Sequence, residues 1–433
     1  MNKGTTPFEN TIRATWINIW IASSESHWFN PDNLHGTRVF YNGKKMSINW
    51  DDMGQARQHL QQMRDAGIDV VLFDLTNGFH DFIIERSRQV GAICRELGLK
   101  FAFAAGNDDD EGFEYRAKLT WDEFCGEDAP FRDCYFTYDG KPALVLYVVR
   151  EQYERLHARK GGYLARFTHG WASGEDPDID KWGWQLTPSV GSVSSDNVMY
   201  ITSSLWWDRS AEQNWYKSLS YLDYNFLKAS QAKPRLLIVG SFDDVCERNS
   251  WMPVDTADAP MWLHQKDPYG NIDPMYYYRR VCDWLSDEGP KTIPGGSLPD
   301  GAYRMQLTDG RCLMVDQRED ITDTEVIADR PQALWQNLVW LYHLGNGEYR
   351  VIRLFAGRSL AEQDGMLVQA EDQNIPHQRW ILRNHGDGWK LQNVATGNFM
   401  LGSDALWHLG AEITIPKNNA WRIQFGSKVD KFE

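Results

Sequence analysis

A chain of 433 residues is too long for one small core, and it suggests one domain of about 250–300 residues plus a second of roughly 130. With 42% hydrophobic and 24% charged residues the composition is that of a globular protein, and the formal charge of -15 argues against nucleic-acid or anionic-membrane partners. No apolar run approaches the ~20 residues needed to span a bilayer, and "MNKGTTPFENTIRATW" contains no apolar signal core. Either the protein stays in the cytoplasm or a signal for the periplasm or the exterior precedes this sequence.

In chain order, short apolar runs alternate with amphipathic stretches up to about residue 288. The strand candidates are 14–22, 69–75, 100–105, 143–149, 163–168, 197–203 and 235–242, with an eighth around 257–264. Helices are expected over 51–67, 81–98, 214–230 and 273–289, the first with an Asp cap and a Gly stop. Strand–helix alternation of this length implies parallel strands with helical crossovers, and runs apolar on both faces imply burial on both sides. The first strand lacks a Gly-rich phosphate turn, which disfavours a dinucleotide-binding sheet and favours a (β/α)8 TIM barrel over residues 1–289.

"PKTIPGG" opens a Pro/Gly-rich linker, placed at 290–298. The long helices then give way to short strands over 299–426, before a tail at 427–433. Trp340, Trp380 and Trp421 are 40 and 41 residues apart, each two positions after Leu338, Gln378 or Asn419. A period near 40 repeated three times implies three equivalent all-β units around one core.

The six cysteines lack CxxC spacing, so a structural zinc site is not expected; Cys125 and Cys134 are near enough in sequence to pair. The twenty tryptophans are several-fold above ordinary usage, and many stand in polar loops such as "THGWASGE", "SSLWWDR" and "RNSWMP". A flat apolar ring with a polar handle suits stacking on sugars, although single tryptophans serve equally as core anchors.

In barrel enzymes chemistry lies at the C-terminal strand ends. The polar residues there are His27, Trp28, Asp74, Asn107, Asp108, His169, Trp171, Trp206, Trp207, Asp243, Asp244, Glu247 and Trp251. Asp74 also suits a turn, and "NDDDEG" (107–112) also suits a solvated acidic loop. His27, His80 and His169 lack H-x-x-H or H-E-x-x-H spacing, so neither a catalytic metal nor an organic cofactor is implied. No G-x-S-x-G motif supports an esterase.

Residues 14–290 resemble glycoside hydrolase families 71 and 99. "DDVCE" (243–247) resembles their strand-seven signature, with Asp243 for the family's Asn and Val245 for its aromatic residue. "AGND" (105–108), "YDGKPALVLY" (138–147), "SSLWWDRS" (203–210) and "AGIDVVLFDL" (66–75) resemble further segments in the same order. The resemblance implies an α-1,3-glucanase-like or endo-α-mannosidase-like enzyme, with Asp244 as general base, Glu247 as general acid and Asp108 binding substrate. Residues 297–426 resemble the ricin-type β-trefoil lectins, "GRCLMVD" (310–316) matching the start of a repeat. This implies a sugar-binding module, with Asp316, Asp364, Gln369 and Asn398 as candidate contacts. The expectation is therefore a monomeric barrel-plus-trefoil enzyme with a carbohydrate partner. The alternative is a carbohydrate-binding protein whose hydrolase barrel no longer reacts.

Overall fold

The computed structural model describes residues 7–22, 36–173, 182–183, 193–203, 218–245, 249–259, 263–315, 324–329, 338–354 and 357–416. The chain divides into two compact units. One comprises Asn10–Arg209 and Ala232–Leu263, the other Met1–Glu9, Ser210–Gln231 and His264–Glu433.

The first unit contains β1 (Ile12–Ile17), a hairpin of β2 (Val39–Tyr41) and β3 (Lys44–Met46), α1 (Met53–Asp65), β4 (Val70–Leu75), α2 (Asp81–Leu97) and β5 (Lys100–Gly106). There follow α3 (Asp110–Thr120), β6 (Thr137–Tyr138), β7 (Lys141–Tyr147), α4 (Arg150–His157), β8 (Thr168–Ala172) and β9 (Val198–Ile201). After α5 (Leu219–Ala232), nearly all of which groups with the other unit, comes β10 (Leu236–Ser241). Seven strands pair in parallel in the order β8-β7-β5-β4-β1-β10-β9, and β6 adds antiparallel to β7. Six of the seven coincide with expected apolar runs; the exception is β8, which lies after the expected 163–168 and begins where that run ends. Among the described residues β8 and β9, the two ends of this array, do not pair with each other. The region expected to supply an eighth strand opens as a turn at 257–259, where the Asp255 carboxylate accepts the Ala257 N–H at 3.0 Å.

Strand alternation sorts the side chains. Phe73, Phe101 and Phe103 cluster with Phe124 on one face. The other face carries the small Ala102, Ala104 and Gly170, and the space they leave is filled by indoles. A Cβ on Gly170 would lie 2.4 Å from the ring of Trp182, whose carbonyl accepts the Trp16 indole N–H at 3.2 Å.

The helices follow their caps. Asp52 accepts the N–H groups of Gly54 and Gln55 at the start of α1, and Gly98 ends α2 at φ +75°. The acidic run 107–112 is solvated at Asn107, Asp109 and Glu111 but is not all loop, because α3 begins within it. Asp109 accepts the Gly112 N–H at 2.8 Å and caps α3, placing Asp110 and Glu111 in its first turn. Cys125 and Cys134 are unpaired; their thiols are directed to the carbonyls of Thr120 and Phe131.

The second unit carries α6 (Tyr276–Leu285) and ten antiparallel strands: β11 (Gly301–Leu307), β12 (Cys312–Val315), β13 (Thr324–Asp329), β14 (Leu338–Gly345), β15 (Glu348–Arg353), β16 (Ser359–Gln363), β17 (Met366–Ala370), β18 (Arg379–Asn384), β19 (Trp389–Asn393) and β20 (Trp407–Thr414). The pairings β11–β14, β14–β15, β15–β18, β18–β19, β19–β20 and β20–β11 run in a ring. Trp380 is buried in the core of this ring, whereas Trp340, between the core residues Val339 and Leu341, is buried on the opposite face beside Tyr342; Trp421 lies outside the described residues. Behind β14, Asp223 of α5 accepts the Arg280 guanidinium at 2.7 and 2.8 Å, the Trp284 indole at 2.6 Å and the Tyr342 hydroxyl at 2.9 Å. Arg280 and Trp284 belong to α6, so one carboxylate ties two helices to the sheet.

Candidate active site

Because the strands are parallel, their C-terminal ends meet on one edge of the sheet. Asp243 and Asp244 follow β10, Asn18 follows β1, Asp74 and Thr76 lie at the end of β4, and Asn107 and Asp108 follow β5. Asp243 has no exposed surface: Oδ1 accepts the Asn18 N–H at 2.8 Å and Oδ2 the Trp50 indole at 2.7 Å. Burial, reinforced by the neighbouring charge of Asp244, pushes its carboxyl up to about 7 against the pull of these donors. The Trp50 ring meets His59 edge-on at 5.6 Å, and burial lowers that imidazole to about 4. The Asp244 carbonyl accepts the Asn249 and Ser250 N–H groups, both at 3.0 Å, which folds the loop back on the strand end.

Asp74 follows Phe73 and by alternation faces away from the phenylalanine cluster. Its Oδ2 accepts the Trp20 indole at 3.1 Å and its Oδ1 the Thr76 N–H at 2.8 Å, so it both holds a turn and stands at the sheet edge. Burial raises its pKa, and the Thr76 and Trp20 donors oppose the shift. Asn107 adopts φ +55° and donates to the Thr76 carbonyl at 3.0 Å, joining the loops after β4 and β5. Asp108 pairs with Arg116 at 2.8 Å; the same guanidinium holds the Gly106 carbonyl and lies 5.2 Å from the Phe79 ring. Beside them opens a cleft of about 450 Å³, lined by Asn107, Asp108, Tyr147, Gln152 and Ser173 among others. Its amide, hydroxyl and carboxylate groups suit a polyhydroxylated ligand. Among the described residues no three His, Cys, Asp or Glu side chains are arranged to hold a metal ion.

Several sequence expectations change. Residues 164–166 form a 3₁₀ turn and the strand runs over 168–172, so His169 and Trp171 lie within it rather than after it. Both turn to α4: Trp171 stacks on Tyr153 at 5.3 Å and donates to the Val148 carbonyl, and His169 meets His157 edge-on at 5.5 Å. Trp251 is a core residue whose indole reaches Thr15 Oγ1 at 3.1 Å and the Val239 carbonyl at 3.3 Å. Asp243 presents no free oxygen to a substrate, because both are engaged within the protein. In the second unit Gln369 is buried and accepts from Arg353 at 2.9 Å, Asp364 turns the β16–β17 hairpin at φ +51°, and Asn398 donates to Glu362 at 2.6 Å. His27, Trp28, Trp206, Trp207, Glu247 and Asp316 lie outside the described residues.

The tryptophans show a use that their number alone does not reveal. Four described indoles donate to a buried or half-buried carboxylate: Trp20 to Asp74, Trp50 to Asp243, Trp182 to Asp196 and Trp284 to Asp223. Trp20, Trp50, Arg116, Tyr147 and Gln152 escaped the sequence reading. Trp20 and Tyr147 had a signal, since both fall at strand ends.

No family model matches the sequence, and no curated protein matches it. Among solved structures the chain is similar to the GH99 endo-alpha-mannosidase from Bacteroides thetaiotaomicron, at 16% identity over 63% of this chain and 96% of that one, with a TM-score of 0.45. It is also similar to the designed three-fold symmetric protein ThreeFoil, at 19% identity over 28% of this chain and 94% of that one, with a TM-score of 0.22. A lectin from Polyporus squamosus gives 19% identity over 28% and 47%, with a TM-score of 0.21. With TM-scores below 0.5 these likenesses decide nothing about chemistry, which the side chains must carry.

Proposed function

We propose that the chain is a glycoside hydrolase acting on an α-linked poly- or oligosaccharide, with Asp244 as general base and Glu247 as general acid. In this reading residues 1–289 form a (β/α)8 barrel of the family 71 and 99 kind, and residues 299–426 a ricin-type β-trefoil that binds sugar. The observation that supports it is the set of carboxylates at the C-terminal strand ends of one sheet, Asp74, Asp108, Asp243 and Asp244, of which Asp108 lines a polar cleft of about 450 Å³. Cleaving a glycosidic bond needs a proton for the leaving oxygen and a base for water or a sugar hydroxyl. Of two adjacent carboxyls, the more deeply buried one takes up the shared proton first. Asp243, whose carboxyl burial raises to about 7, serves as the buried anchor and Asp244 as the base. Glu247 stands three residues further on to supply the proton. A sugar-binding second unit would raise the local substrate concentration by tethering.

The deciding experiment is a product-mapped screen against α-glucans and α-mannans, repeated with Asp244→Asn and Glu247→Gln. Each substitution is expected to reduce hydrolysis at least ~100-fold. Near-normal turnover in either variant removes the assignment. A second reading, a carbohydrate-binding protein without turnover, is favoured by the pairing of Asp108 with Arg116 and the engagement of both Asp243 oxygens. Calorimetric binding of these glycans without product formation would select it.

A further inference from the structure

The junction between the β4 loop and α2 carries an exposed pair of rings. His80 and Phe82 stack with centroids 5.4 Å apart and planes 4° from parallel, and both are open to solvent. The pair is held in place from two sides. The Arg86 guanidinium lies 5.8 Å from the Phe82 centroid and is itself buried, bonded to the Ile19 carbonyl at 2.8 Å and to Asp51 at 2.7 Å. On the other side Gly78 adopts φ +135°, and a Cβ there would come 2.7 Å from His80 Nε2. The loop backbone therefore folds against its own imidazole, and glycine is what permits it.

The same loop is joined to the cleft. Phe79 meets Phe103 edge-on at 6.3 Å and lies against Arg116, which holds Asp108 at the cleft wall. Asn107, also on that wall, is bonded to the Thr76 carbonyl. β4 and β5 are adjacent strands, with Asp74 opposite Ala104, so the loop after β4 neighbours the end of β5 whose following residues line the cleft. An exposed flat ring with a polar edge matches the C–H face of a pyranose.

We propose that His80 and Phe82 form an outlying subsite that stacks on a sugar ring of an α-linked polysaccharide extending beyond the cleft. The proposal rests on the glycan-active reading above and adds that the protein grips a chain of several residues rather than a single sugar.

The test is affinity electrophoresis of the full chain in gels containing soluble α-mannan or soluble α-glucan, alongside KM measured against chain length. Wild type is expected to be retarded by one of the two polymers. His80→Ala and Phe82→Ala should each weaken retardation about three- to ten-fold, and His80→Trp should strengthen it. The KM penalty should grow with chain length. All three variants alter exposed side chains, and unchanged thermal midpoints would establish that they fold. Unchanged retardation and KM in both alanine variants, with hydrolysis still lost in Asp244→Asn, would reject the subsite and leave the enzyme standing. Neither retardation nor hydrolysis with either polymer would reject both. Weakened retardation without any hydrolysis would support the subsite and select the non-catalytic reading.

Discussion

Trp50 donates its indole N–H to Oδ2 of Asp243 at 2.7 Å, inside the protein, one residue from the proposed base. With the Asn18 N–H on Oδ1, this bond fixes the end of β10 to β1 and to the segment entering α1. Trp50→Phe preserves the ring and removes the donor. It is expected to cost about 1–3 kcal/mol in urea unfolding, the scale for a buried acceptor left unsatisfied. It should also move the titration of Asp243 upward from about 7, because the lost donor favoured the carboxylate.

Stability should depend on pH through groups buried in opposite senses. Burial lowers His59 and His169 from 6.5 to about 4, so their share of stability is complete above pH 6.5 and is lost as pH falls through 4. Asp243 and Asp300 are raised from 3.8 to about 7 by burial, so their share is complete below pH 3.8 and is lost as pH rises through 7. The melting temperature of His59→Phe, followed from pH 7 to 4, should fall less steeply than that of wild type. Parallel curves would mean that His59 does not titrate as a buried neutral ring.

Gly170→Ala puts a methyl group 2.4 Å from the Trp182 ring. Overpacking of this kind costs about 1–3 kcal/mol. The displaced indole should loosen its 2.6 Å bond to Asp196, readable as a shift in tryptophan fluorescence together with a lowered denaturation midpoint.

Asp223→Ala leaves the buried Arg280 guanidinium unpaired and strips acceptors from Trp284 and Tyr342. About 3–5 kcal/mol of destabilisation is expected, measured by denaturant unfolding. Asp223→Asn, which retains one acceptor oxygen, should lose less.

Six of the seven parallel strands are legible because each is a largely apolar run between turn signals. The strand at 168–172 was displaced in the reading because "THGWA" contains Gly170, whose missing side chain makes room for Trp182 and carries no strand signal of its own. The start of α3 was hidden by its acidic residues, which are capping residues and also the commonest loop residues. Asp74 and Asp244 are legible as strand-end carboxylates, and they lie at the C-terminal ends of β4 and β10. What the sequence could not show is which tryptophans serve carboxylates: the partners of Trp50 and Trp284 are 193 and 61 residues away.

The order of synthesis follows from the way the two units interleave. The helix at 219–232 is translated before its sheet partners, which extend to residue 414. At ordinary ribosome speeds it waits on the order of ten to forty seconds for the whole sheet, and until then the Asp223 carboxylate lacks Arg280, Trp284 and Tyr342 while Phe226 lacks Trp284. During that interval the nascent chain exposes to solvent a helix that the finished fold buries on nearly every side.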